Sequence, residues 1–101
     1  MIAKDAVKVH ARDFIDESRP VVESAGRIAV ELSKHLRAGG CVVLTVAGVR
    51  GTSSSFFNVL LSGVAEALCN DFSDQRFTIE TDTPTQRLVL DRSLLAFKRS
   101  A

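Results

Sequence analysis

Residues 41–61 read CVVLTVAGVRGTSSSFFNVLL. Residues 41–47 are apolar on both alternating sets with only Thr45 intervening, the pattern of a central strand covered on both faces. Gly48 and Gly51 bracket Val49 and Arg50, so the backbone can turn sharply as it leaves the sheet. Ser53, Ser54 and Ser55 then stand where a helix needs an acceptor for its unpaired first amides, which predicts a helix beginning near Ser54. Hydroxyls at that place lie at the positive end of a helix dipole, beyond the carboxyl end of a strand, where an anion or a phosphate group is stabilised.

The flanking sequence supplies partners for that junction. Upstream, Val7, Val9 and Ala11 alternate with Lys8, His10 and Arg12, giving a half-exposed strand over residues 6–12 at or near a sheet edge. Residues 13–19 form a connection into Pro20, which suits a first helical turn. Val21, Ala25, Ile28, Ala29, Leu32 and Leu36 then recur at helical spacing, with Ser18 and Ser24 both usable as N-caps and Gly39 and Gly40 marking the stop. Glu23 and Arg27 are spaced as an i,i+4 ion pair on the outer side of that helix.

Downstream, Phe57, Leu60, Leu61, Val64, Ala65, Leu68 and Cys69 carry a second helix to about Asn70, with Phe56 and Val59 widening its apolar arc. Such an arc fits a helix sandwiched between a sheet and a neighbouring helix, or one with an edge left open for a partner. Residues 76–80 alternate Phe77 and Ile79 with polar neighbours as a half-buried strand. Thr83, Pro84 and Gln86 supply an N-cap, a proline at the first helical position and the second half of a capping box, so a third helix is expected from Pro84 into the nineties. The rival reading makes residues 88–90 a short strand paired with 76–80. The order strand, helix, strand, helix, strand, helix defines a single α/β domain over residues 1–101: a small mixed, partly parallel sheet with about three helices, and room for a further strand in residues 1–5 or 13–17.

Composition narrows the function. Thirteen basic and twelve acidic side chains leave a net charge of +1 with no long run of one sign, and the aromatics are all Phe, so nucleic-acid binding has neither a basic field nor stacking platforms of the usual kind. No apolar run approaches a membrane span, and the polar start of the chain is unlike a signal peptide, so a cytoplasmic protein without membrane attachment is expected. Cys41 and Cys69 read as buried thiols, and two distant histidines leave a metal site short of ligands. The turn GVRGTSSS has neither the lysine of a P-loop nor the glycine spacing of a dinucleotide fingerprint, so no cofactor is expected. It also lacks the second glycine of a nucleophile elbow, and neither His10 nor His35 is placed by sequence to act as a base, so no catalytic residue is assigned.

VVLTVAGVRGTSSSFFNVLL followed by a strand and TPTQRLVL resembles the STAS domain of bacterial anti-sigma factor antagonists, and more closely the STAS-like domains with a Ser-Ser-Phe form of the motif, over roughly residues 39–97. In the antagonists an apolar strand and turn precede Asp-Ser-Ser-Gly, and the first serine is phosphorylated by an ATP-dependent kinase that is also the anti-sigma factor. The resemblance places Ser54 at the phosphorylated position and Ser55 at the second serine. Ser53 stands in place of the aspartate, Phe56 in place of the glycine, and Thr45 where the strand usually has an aspartate. It implies a non-catalytic signalling module whose partner is an ATP-binding serine kinase of the anti-sigma type, with Arg50, Thr52, Phe56 and Asn58 as candidate partner contacts. The alternative is a constitutive interaction or homodimerisation domain in which the serines only cap the helix. Phe56, beside the turn, is expected to be at least partly exposed.

Overall fold

The computed structural model describes residues 7–16, 18–68 and 76–100. Three strands, β1 (Val7–His10), β2 (Val42–Thr45) and β3 (Phe77–Glu80), alternate with three helices, α1 (Val22–Arg37), α2 (Ser54–Ala65) and α3 (Pro84–Ser100). The α/β class is as the sequence indicates. The strand order is β1-β2-β3, and both pairings are parallel, with Val9, Leu44 and Ile79 in register across the sheet. The parallelism expected of part of the sheet thus extends to all three described strands. β1 stops at His10 because residues Ala11–Phe14 close into a 3-10 turn, so no strand forms at 13–16. Residues 1–5 and Cys69 lie outside the described residues. The rival strand at 88–90 is helical, within α3.

A strand order that steps steadily one way, joined by crossovers of one hand, puts both crossover helices on the same face of the sheet. α1 buries Ala25, Ile28, Ala29, Leu32 and Leu36, and α2 buries Phe56, Phe57, Leu60, Leu61 and Val64. These side chains share one core with Val9, Val42, Leu44 and Val46 from the sheet side, Phe77 from β3 and Leu90 from α3. α1 and α2 approach closely where Gly63 faces Ala29: a Cβ on Gly63 would overlap the Ala29 methyl. Ser33 Oγ donates to the Gly63 carbonyl across the same seam, at 3.3 Å.

The other face of the sheet corrects the expectation of two covering layers. The alternate residues Lys8, Thr78 and Glu80 are exposed, and His10 and Val43 are only half-buried. Lys8 Nζ reaches Glu80 Oε1 at 3.2 Å, an ion pair between the two outer strands across β2. Among these six alternate positions only Thr45 is buried, and its Oγ1 accepts the Ala47 amide at 3.2 Å. The sequence of β2 reads as two-sided because only Thr45 interrupts the apolar pattern that includes Val43. Its position beside Lys8 and Thr78 in the register places it instead among polar neighbours on the open side.

Helix ends follow local chemistry. Gly39, at φ 85°, closes α1: the amides of Gly39 and Gly40 donate back to the carbonyls of Leu36 and His35, the paired bonds of a Schellman cap. Neither candidate serine caps its start. Ser18 turns to Asp16, and Ser24 Oγ donates to the Val21 carbonyl at 2.6 Å from inside the first turn. The Glu23–Arg27 pair is also not formed. Arg27 Nη2 donates to the Phe14 carbonyl at 3.0 Å, while Glu23 faces Arg19 at 3.8 Å.

Candidate functional site

The turn between β2 and α2 is fixed from three directions. Val46 extends the strand pairing by donating to the Glu80 carbonyl at 3.0 Å, and Val49 donates back to Val46 at 3.1 Å to close a tight turn. Gly48 and Gly51 take φ values of 79° and 78°, a region that side chains with a Cβ rarely enter. Asp82, just after β3, accepts the Gly48 amide on its Oδ2 at 3.3 Å.

The third restraint comes from Gln86. Its amide Nε2 donates to the carbonyls of both Val46 and Val49, at 3.2 and 3.0 Å, while its Oε1 accepts the Asp82 amide at 2.7 Å. Reversing the amide would set its oxygen against two carbonyls, so the network fixes the orientation. The expected capping box is present in altered form. Thr83 Oγ1 accepts the Gln86 amide at 3.1 Å, but the glutamine side chain bonds one residue further upstream than the cap itself. Gln86 is 6% exposed, and its bonds give the Val46 carbonyl a second donor beside the Val49 amide and supply one to the Val49 carbonyl.

α2 begins at Ser54, as the triple serine indicates. Ser53 is the N-cap: its backbone is extended, and its Oγ accepts the Phe56 amide at 3.3 Å. Ser54 and Ser55 are exposed on the first turn, and Asn58 and Val59 follow them one turn on, Val59 being 42% exposed. Arg50 is exposed, whereas Thr52 is buried at 9%. Of the candidate partner contacts, Arg50 and Asn58 are therefore at the surface beside the serines and Thr52 is not.

Phe56 is a correction. It is 0% exposed, with its ring edge-on to Phe57 at a centroid distance of 5.3 Å and 80° between planes. It heads the row Phe56, Leu60, Val64, all buried against the core. Helical side chains lean back toward the N-terminus, so this ring tucks beneath the turn instead of standing beside it.

The histidines lie elsewhere. His35 Nε2 is 3.1 Å from Glu31 Oε2 near the C-terminal end of α1, and His10 ends β1 on the open face. Neither imidazole is hydrogen-bonded to Ser53, Ser54 or Ser55. Among the described residues no three His, Cys, Asp or Glu side chains gather as metal ligands, and no helix is long and apolar enough to cross a membrane.

Two features of this region were not apparent from sequence. Gln86 was legible only as a local cap, because its long-range partners are backbone carbonyls with no side-chain signature. The other is a cavity of about 490 Å³ beside the turn, to which Arg12, Arg19 and Arg50 all contribute. Asp16 next to it is held below the usual carboxylate pKa by hydrogen bonds from the Ser18 hydroxyl and amide, and it faces Arg19 at 3.8 Å. Comparison of the chain with protein-family models, curated proteins and solved structures finds no significant match.

Proposed function

We propose that this chain is a non-catalytic regulatory module that binds a protein partner and is switched by phosphorylation of Ser54. The observation that carries the reading is that all three serines are exposed but only Ser53 is engaged as a helix cap, which leaves the hydroxyls of Ser54 and Ser55 open on the first turn of α2. A phosphoryl group at Ser54 would add about −1.5 to −2 charges at the positive end of a helix, which the fold tolerates. The effect falls on whatever meets Arg50, Asn58 and Val59, exposed residues of the same turn and helix. The motif resemblance to anti-sigma factor antagonists names the partner class, an ATP-binding serine kinase that brings its own nucleotide.

Incubation of the domain with a captured partner and ATP, followed by peptide mapping, tests this directly. Phosphate is expected on Ser54 and lost in Ser54→Ala, with Ser54→Asp folding normally but binding the partner more weakly. Phosphate confined to Ser53 or Ser55 would reject the register. A constitutive interaction domain is the second reading, favoured by the cap that Ser53 does form. It is the better account if partner and domain bind and no serine is modified.

A further inference from the structure

We infer that the arginine-lined cleft at the carboxyl ends of β1 and β2 is a binding site for a small organic phosphate. Three separate segments build it. Arg12 comes from the 3-10 turn after β1, Arg19 from the approach to α1, and Arg50 from the turn after β2, around a cavity of about 490 Å³. Ile15, Val21 and Val49 give the same cavity apolar wall. That volume falls in the range of pockets that hold small molecules, and the space outside the carboxyl ends of parallel strands is where open α/β sheets take their ligands.

The charges are unequal in a way that calls for an anion. Arg19 lies 3.8 Å from each of Asp16 and Glu23. The guanidinium groups of Arg12 and Arg50 have no carboxylate and no hydrogen-bond partner among the described residues. Several exposed bases elsewhere do find acids, Lys8 with Glu80, Lys34 with Glu31, Arg37 with Glu66 and Arg87 with Asp91, whereas Arg12 and Arg50 face a common cavity without one among the described residues. Two guanidinium groups around one cavity with no carboxylate on either among the described residues favour the entry of an anion. Their planar forks match pairs of phosphate oxygens better than an ammonium would. Asp82, which follows β3 beside the turn, is occupied with the Gly48 amide. Gly48 also lines the cavity, with the Arg12 side chain at ordinary van der Waals distance from where a Cβ would stand.

This site is independent of the phosphorylation reading and is tested on the unmodified chain. Calorimetric titration with AMP, ATP and glycerol phosphate, beside inorganic phosphate and pyrophosphate at the same ionic strength, is the experiment. Saturable binding of at least one organic phosphate is expected, weakened about tenfold or more by Arg12→Ala and by Arg50→Ala. It should be unchanged by Arg37→Ala, whose guanidinium lies at the far end of α1 against Glu66. Arg12 and Arg50 are exposed, so both variants should keep the melting temperature of the parent, which separates lost binding from lost folding. No saturable binding of any organic phosphate, or equal weakening by Arg37→Ala, would overturn the site. Inorganic anions binding as tightly as the esters would overturn the ligand class, because the apolar wall would then take no part.

Discussion

The two faces of the sheet differ although they share the same three strands. One face lies beneath the helices and buries Val9, Val42, Leu44 and Phe77. The other carries Lys8, His10, Val43, Thr45, Thr78 and Glu80, of which only Thr45 is buried. Adjacent residues of β2 therefore work under different rules: Leu44 is a core side chain and Val43 is only half-buried. The lesson is that an apolar strand reports its own tolerance of burial, whereas the number of covering layers is set by how the crossovers run.

Paired substitutions in β2 give the sharpest test. Leu44→Asp places an unpaired charge in the core and should prevent folding, while Val43→Asp should yield a cooperatively folded domain with a lower melting temperature. Equal loss of folding in both, by circular dichroism, would break the distinction between the faces. The next largest effect is expected beneath the helices, where Phe56→Ala should cost about 3–5 kcal/mol in denaturant unfolding. A loss under about 1 kcal/mol would put that ring outside the core.

The helical layer can be probed at its closest seam. Gly63→Ala should cost about 1–3 kcal/mol through its overlap with Ala29, and adding Ala29→Gly should recover part of the loss. Additive losses in the double variant would show that the seam is looser than its geometry. The open face should respond least. A double-mutant cycle on Lys8 and Glu80 is expected to return a coupling below about 1 kcal/mol that fades with added salt, because both side chains are half exposed. A larger, salt-insensitive coupling would mean that this face is covered after all.

Much of the fold was legible because its signals are local. Ser53 and Pro84 mark helix starts, and Gly39 marks a stop, each through the few backbone groups next to it. Phe56 was legible too, since it stands four residues before Leu60 in a buried row. Reading it as a replacement for a loop glycine set that periodicity aside. Val43 could not be resolved in the same way, as its exposure depends on which side the helices dock. The cleft was hidden for another reason: Arg12, Arg19 and Arg50 belong to three segments that only the folded sheet brings together. The spacing of Glu23 and Arg27 allowed an ion pair, but each found a different partner outside the helix.

Gln86 also has a consequence for the order in which the molecule is completed. The carbonyls it holds, Val46 and Val49, precede it by 40 and 37 residues, so the serine turn is synthesised well before its tether. The turn and α2 can form early from neighbouring contacts, but the final restraint waits for α3 to dock, a late and non-local event. Nascent chains that have not reached α3 should therefore present Ser54 on a loosely held turn, with fast amide exchange at Val49. Chains in which α3 has docked should present it on a fixed one. A partner that reads the shape of the turn would then distinguish finished molecules from those still emerging from the ribosome.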